Sequence, residues 1–174
     1  MSDNNVIDVL IPLHASGATV AMLLGAWNLR RNPKGDRPHR LVGRVWVVAM
    51  YWTVLSSFFI TELEPGHFSW IHGLSALTFV TLTAGTWAAV LGRVAVHRQF
   101  MTGSYLGLLG AFAGAVAVPS RDIPQLLVHR PVVFALAVAA VAVASATVVA
   151  LCRVGPRVAV GPVPEAAPSA GLPG

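Results

Sequence analysis

Five long apolar stretches, separated by short polar segments, dominate the sequence. They cover residues 7–29, 41–61, 70–91, 101–118 and 132–151, and the fourth is the shortest. Each is close to the ~20 residues with which a helix crosses a hydrocarbon core of about 30 Å. The stretches do not alternate polar and apolar positions as barrel strands do. Because backbone groups in lipid must be satisfied within helices or closed barrels, the pattern predicts an all-α integral membrane bundle of five transmembrane helices.

The composition agrees with a membrane protein. Hydrophobic residues make up 55% of the chain and charged residues 11%, whereas soluble chains average about 25% charged residues. The mean hydropathy is +0.68. The net charge of +5 comes from the short segments between apolar stretches, which indicates topology rather than a nucleic-acid interface. We therefore expect the lipid bilayer as surroundings, the plasma membrane as location and no nucleic-acid partner.

The basic residues predict the orientation of the bundle. Of the 12 basic residues, all but Arg121 and Arg130 fall on the same side of the predicted helices. The positive-inside rule then predicts an N-terminus outside the cell and a C-terminus in the cytoplasm. Residues 1–154 form the predicted transmembrane domain. Residues 155–174 are rich in Pro, Gly and Ala and are expected to form a disordered cytoplasmic tail.

Histidines occur at matched depths in alternate helices. His14 lies seven residues into the first helix. His72 lies seven residues into the third if that helix begins near Pro65, so both are expected about 10 Å below the outer surface. His39 and His97 open the second and fourth helices near the cytoplasmic face. Ionisable groups inside a membrane usually mark function, although a single His can also serve as a hydrogen-bond partner for a neighbouring helix.

Imidazoles that face each other from two helices are typical axial ligands of haem iron. We therefore predict two haem b sites, with His14 and His72 as the outer iron ligands and His39 and His97 as the inner ones. Arginines flank the inner pair and are predicted to meet the haem propionates; they are Arg40, Arg44 and Arg98.

The function predicted from these sites is electron transfer across or within the membrane. A quinone or a soluble electron donor is the expected redox partner, and the chain is expected to form a homo-oligomer or join a larger membrane complex. An enzyme of this design would be a transmembrane oxidoreductase. The histidines and arginines are predicted to bind the cofactor, and no catalytic residue is predicted.

The sequence carries two resemblances, and the first of them supports this interpretation. The alternation of His pairs over the first four helices is similar to that of diheme b-type transmembrane cytochromes, the ascorbate-dependent family among them. A second set of motifs consists of a first-helix His, His-Arg-x-x-Gly-Arg at the second helix, a third-helix His, and His-Arg-x-x-Met entering the fourth. The residues are His14; His39, Arg40, Gly43 and Arg44; His72; and His97, Arg98 and Met101, followed by Ser104 and Tyr105.

With these motifs, residues 10–125 resemble a family of predicted bacterial multi-pass membrane proteins of unknown function. Members of that family often carry Arg where this chain has Gly103. The resemblance implies a helical fold and a membrane location, and it brings no activity with it.

A second interpretation is a haem-free protein that binds a metal ion or assists the assembly of a membrane complex. Acidic residues and histidines cluster around the outer ends of the second and third helices, and such side chains suit Zn, Cu or Fe. The alternative for this cluster is a solvated rim that includes helix-capping acids. Its residues are Glu62, Glu64, His67 and His72, with Asp8 and His14 nearby. Apart from this cluster, His67 and His129 are expected to be loop residues.

Overall fold

The structure, a computed structural model, describes residues 3–60, 70–117 and 122–154. Every element in these ranges is a helix, so the all-α prediction is confirmed for them. In chain order the helices are α1 (Asp3–Arg30), α2 (Arg37–Ser57), α3 (Trp70–Val90), α4 (Val94–Ala117), α5 (Asp122–His129) and α6 (Pro131–Arg153). The predicted tail, residues 155–174, and the predicted helix start near Pro65 lie outside the described residues.

Helix bounds differ from the sequence prediction at the charged ends. α2 begins at Arg37, before its apolar stretch, because the Asp36 side chain accepts the backbone N–H of His39 and caps the helix. A proline in the first turn of α2 suits the same start. α4 begins at Val94 and has 24 residues, so it is not the short helix that the sequence predicted. α5 was not predicted, and His129 is its last residue rather than a loop residue.

Helices α1 to α4 form a closed ring. α1 packs against α2, α2 against α3, α3 against α4, and α4 again against α1. Within the described ranges, no close backbone approach joins α1 to α3 or α2 to α4. The members of those two pairs therefore stand diagonally across the ring. α6 packs on the outside of α1 and α2, and α5 connects α4 to α6.

Consecutive helices of the ring run antiparallel. His14 meets Ser56 near one end of the α1–α2 pair, and Asn28 meets His39 near the other. The 21 residues of α2 span about 30 Å at 1.5 Å per residue, which matches the hydrocarbon core. The end of the ring that carries Ser56 is called the outer end below, and the end that carries His39 is called the inner end.

Four helices in the described part of the chain are long and apolar enough to cross a membrane. The spans are Val9–Arg30, His72–Val90, Val94–Ala117 and Pro131–Arg153. α2 has a comparable length, but Arg37, Arg40 and Arg44 lower the hydropathy of its first two turns. The chain is thus a multi-pass helical membrane protein. The fifth span, which α2 would supply, and the orientation of the bundle stay predictions.

The core lies halfway along the ring and joins α1 to the helices beside it. Its members include Ala21, Leu24, Met50 and Leu82, each no more than 1% exposed. The contact between α1 and α2 is close because Gly25 has no side chain: a Cβ there would lie 2.6 Å from the indole Nε1 of Trp46. This packing separates the outer and inner ends of the ring by a layer of apolar side chains.

Hydrogen bonds from two rings reinforce this layer. The Trp46 indole N–H donates to the Ala21 carbonyl at 2.9 Å. The Tyr105 hydroxyl donates to the Met22 carbonyl at 3.3 Å. Both acceptors belong to α1, so α2 and α4 are each tied to α1 at mid-depth.

The inner end is held by charged groups. The Lys34 ammonium donates to the carbonyls of Asn28, Leu29 and Arg31, at 3.2, 2.8 and 3.3 Å, and so caps the end of α1. Arg31 also forms an ion pair with Asp36, the residue that caps α2. The turn between α1 and α2 is therefore fixed at both helix ends, which positions the first turn of α2 beside the last turn of α1.

Candidate functional site

At the outer end, His14 is held by a hydroxyl of α2. Its Nδ1 lies 2.8 Å from Ser56 Oγ. The Ser56 hydroxyl donates to the Trp52 carbonyl at 2.6 Å, so its single proton is already used. Nδ1 of His14 must therefore be the protonated nitrogen and donate to Ser56, and Nε2 carries the lone pair of the neutral ring.

His72 lies at the same level on the other side of α2. Its side chain is 4% exposed, and its ring centroid is 6.2 Å from that of Phe58, the C-cap residue of α2. The hydroxyl oxygens of Ser57 and Ser75 lie 2.7 Å apart, and the hydrogen bond between them fixes α3 against α2 at this depth. The last turn of α2 therefore contacts His14 on the α1 side and His72 on the α3 side.

At the inner end, His97 is held by a backbone carbonyl of α3. Its Nδ1 lies 2.9 Å from the Gly85 carbonyl oxygen, which can only accept, so Nδ1 carries the proton and Nε2 the lone pair. Gly85 allows this approach: a Cβ there would lie 2.9 Å from the Cβ of Phe100, closer than side chains tolerate. The absence of a side chain at Gly85 therefore lets α4 come near enough for the bond.

His39 lies in the first turn of α2, before the apolar stretch that begins at Leu41. Burial of the ring, and next the positive charge of Lys34, lower the pKa of His39 from its usual value, and the charge of His97 acts in the same direction. His39 and His97 are thus close enough to influence each other. The low pKa favours a neutral imidazole, which is the form that binds metal ions.

The arginines predicted to meet haem propionates do not share one environment. Arg40, Arg44 and Arg98 are all exposed. Arg40 and Arg44 each lie two positions from the fully buried Val42, which is about 160° around the helix. They therefore lie on the side of α2 opposite Val42, in line with Tyr51, whose hydroxyl is hydrogen-bonded to Thr83 of α3. Arg98 follows His97 directly and lies seven positions before Tyr105, which places it on the side of α4 that faces α1.

Sequence reasoning missed the residues that hydrogen-bond to these histidines. Ser56 and Gly85 accept the Nδ1 protons of His14 and His97, and the Asn28 amide donates to the His39 carbonyl at 3.5 Å. A polar side chain inside an apolar helix was a usable signal for Asn28 and Ser56. No sequence signal marks a backbone acceptor such as Gly85.

The residues of the predicted metal cluster are mostly not placed. Glu62, Glu64 and His67 lie outside the described residues, as does the side chain of Asp8. Among the side chains that the structure does describe, no three of His, Cys, Asp or Glu come together around one point. A bis-histidine haem iron takes only two protein ligands. The absence of a three-residue cluster among the described side chains therefore concerns metal ions that need three or more protein ligands.

The protein is a helical membrane bundle in which histidines are hydrogen-bonded at both ends of the α1–α4 ring. The sequence profile of a family described as "Predicted membrane protein (DUF2306)" matches residues 11–152. The chain belongs to the DUF2306 family. The predicted resemblance to a family of membrane proteins of this kind is thereby confirmed, and the match extends beyond residue 125 through α6.

The DUF2306 match includes all four histidines and both diagonal helix pairs. It also includes Asn28, Ser56 and Gly85, and it ends one residue before α6 ends. No curated protein and no solved structure matches the chain. The family description supports a membrane location and names no activity, so the similarity to diheme cytochromes stays a prediction.

Proposed function

We propose that this DUF2306 protein binds two b-type haems and carries electrons across the plasma membrane. In this proposal His14 and His72 ligate an outer haem iron, and His39 and His97 ligate an inner one. The observation that carries the proposal is the diagonal placement of the helices that bear each pair: α1 opposite α3 and α2 opposite α4. A bis-histidine haem between two helices needs this separation, because the ring of the haem stands between its ligands.

The histidines present fit the group. His14 and His97 donate Nδ1–H to a neighbouring helix and keep the Nε2 lone pair for a ligand. Metal-binding histidines typically donate their other nitrogen to an oxygen, which fixes the ring and raises its basicity. The same arrangement occurs here once at each end of the ring.

Side chains around the outer pair also fit. Thr53, Ser56, Ser75 and Thr78 are buried there, and the hydroxyls of Thr53 and Thr78 donate to carbonyls of their own helices. Their polar groups are therefore satisfied within the protein and place no unpaired donor against the apolar edge of a haem. When bound, haem supplies a centre that takes up and releases one electron reversibly.

In this proposal Arg40, Arg44 and Arg98 meet the propionates of the inner haem. Arg40 and Arg44 lie in line with Tyr51, which bonds to α3, and all three arginines lie at the inner end of the ring. This agrees with the proposed orientation, in which the inner end faces the cytoplasm and carries the excess of basic residues. The expected redox partners are a quinone or a soluble donor, and the four-helix ring would act within a homo-oligomer or a larger complex.

A visible spectrum tests the proposal. The protein, expressed with haem supply and purified in detergent, is expected to show a b-type α-band in the reduced-minus-oxidised spectrum. Each of His14→Ala, His72→Ala, His39→Ala and His97→Ala should remove about half of the haem, because each breaks one of two bis-histidine sites. His129→Ala, at an exposed histidine in α5, is the matched control.

Double variants test the pairing itself. His14→Ala combined with His72→Ala should lose no more haem than either single variant, whereas His14→Ala combined with His39→Ala should lose all of it. A purified protein with no Soret band would overturn the proposal. Equal losses in all double variants would overturn the pairing.

Cysteine labelling tests the orientation. In a protein with Cys152→Ala, Leu91→Cys lies between α3 and α4 at the inner end, and Arg130→Cys lies between α5 and α6. A membrane-impermeant maleimide added to intact cells should label Arg130→Cys and spare Leu91→Cys. The reverse result would contradict the proposed orientation.

A further inference from the structure

Two buried polar atoms at the inner end lack hydrogen-bond partners. They are Oδ1 of Asn28 and Nδ1 of His39, both enclosed among described residues. The same two residues are already joined, because the Asn28 amide Nδ2 donates to the His39 carbonyl at 3.5 Å. The two unsatisfied atoms therefore belong to residues that are in contact across the α1–α2 interface, through the Asn28 side chain and the His39 backbone.

The orientation of the Asn28 amide is set by its surroundings. With Nδ2 directed at a carbonyl, the other amide atom must be the oxygen, since exchanging the two would bring two acceptors together. Gly43 faces this amide: a Cβ there would lie 3.3 Å from Asn28 Nδ2. The side chain is thus confined, and its oxygen is a fixed acceptor without a donor.

His39 supplies the complementary group. A neutral imidazole carries one proton, and placing it on Nδ1 creates a donor where Asn28 offers an acceptor. The other histidines with a defined Nδ1 contact follow the same rule: His14 donates to Ser56 Oγ and His97 donates to the Gly85 carbonyl. Satisfying both buried atoms at once removes a cost that native structures generally avoid.

We propose that Asn28 is the positioning residue of the inner site and that its Oδ1 accepts the Nδ1 proton of His39 through one bridging water. His39 then presents the Nε2 lone pair. The role of that lone pair as an iron ligand rests on the proposed function, but the hydrogen bond itself does not. Asn28 lies in the last turn of α1, so it links the outer ligand helix α1 to the inner ligand of α2.

The tautomer of His39 tests this inference in the haem-free protein. In detergent-solubilised protein with ¹⁵N-labelled histidine, the His39 signals are assigned by their loss in His39→Gln. We expect the Nδ1-protonated tautomer. Asn28→Leu should shift His39 toward the Nε2-protonated form, whereas Asn28→Asp, which keeps an acceptor, should preserve it. Gln99→Leu, an exposed amide near the same end, is the control and should leave the tautomer unchanged.

A redox titration of haem-loaded protein supplies a second readout. A carboxylate accepts the proton more strongly than an amide and makes the imidazole a stronger donor to iron. Asn28→Asp should therefore lower the potential of one of two redox steps, Asn28→Leu should raise that same step, and the other step should not move.

The outcomes separate the two proposals. An Nε2-protonated His39 in the unmodified protein, or no change in Asn28→Leu, would overturn the role of Asn28. A protein that binds no haem would overturn the proposed function, and the tautomer measurement would still decide the role of Asn28.

Discussion

The outer and inner ends of the ring hold their histidines with different kinds of group. At the outer end, His14 is bound by the Ser56 hydroxyl, and buried hydroxyls of Thr53 and Ser75 lie nearby. At the inner end, His97 is bound by the Gly85 backbone carbonyl, and the surroundings are cationic. An outer anchor made by a side chain can be removed by a single substitution, whereas a backbone anchor cannot.

The two ends of the ring also differ in charge, and this difference affects the expected reduction potentials. Lys34, Arg31 and Arg98 surround the inner end, whereas the described outer ends of α1 to α4 carry no Lys or Arg. Nearby positive charge favours the form of a redox group that carries the extra electron. Under the proposed function, the inner site is therefore expected to have the higher reduction potential, and electrons would move from the outer site to the inner one.

The largest loss of stability is expected from a change at the contact between α1, α2 and α4 at mid-depth, because both ends of the ring depend on it. A methyl group in Gly25→Ala would overlap the indole of Trp46, which is 5% exposed, and the ring of Tyr105. Both rings are held in place by hydrogen bonds to carbonyls of α1. We expect a loss of about 1–3 kcal/mol of stability in reversible unfolding in mixed micelles, with haem lost from both sites rather than from one.

Gly103→Ala is the control for that experiment. A Cβ at Gly103 would meet no atom within 4 Å, and Ala favours a helix over Gly by about 1 kcal/mol. The control should therefore be neutral or slightly stabilising. If Gly25→Ala were equally well tolerated, the tight α1–α2–α4 contact at mid-depth would not exist.

A smaller effect, confined to the outer end, is expected for Ser56→Ala. This change removes the acceptor of His14 Nδ1 and should cost about 1 kcal/mol, measured by the same unfolding assay. Haem loss should affect the outer site while the inner site keeps its spectrum. Ser16→Ala is the matched control, because the Ser16 hydroxyl bonds to a carbonyl of its own helix. Equal effects on both sites would contradict the independence of the two ends.

Much of this architecture follows from the sequence. Apolar length predicted α1, α3 and α6 to within a few residues, because lipid imposes both the length and the helical state. α2 and α4 begin earlier than their apolar stretches, since the cap at Asp36 and the tight turn at Gly92, where φ is +71°, set their starts. At charged helix ends, both hydropathy and local capping groups influence the residue at which a helix begins. In α2 and α4 the local groups determine that residue.

The site was less predictable than the fold. Histidines in apolar helices were visible as candidates because ionisable groups in lipid are rare. The hydrogen-bond partners of these histidines were not visible in the sequence, because Ser56 is one of several hydroxyl residues in α2. The rotation of α2 that directs Ser56 at His14 depends on the close packing of Trp52 against Gly17. The side of α2 on which Arg40 and Arg44 lie follows only once Val42 is known to be buried and Tyr51 is known to bond to α3. Tertiary packing, rather than composition, carries this information.

The smallest expected effect concerns how α6 is attached to the inner end. The Arg153 guanidinium lies 5.3 Å from the ring centroid of Trp27, and that of Arg31 lies 5.0 Å away. A cation–π contact of this kind at an exposed site contributes roughly 0.5–1 kcal/mol. Arg153→Ala should therefore lower stability by less than Ser56→Ala does, and it should weaken the α1–α6 contact without changing the spectrum of either site. Arg93→Ala, an exposed arginine between α3 and α4, serves as the control. A spectral change at the outer site in Arg153→Ala would show that α6 supports the ring along its whole length rather than at its inner end alone.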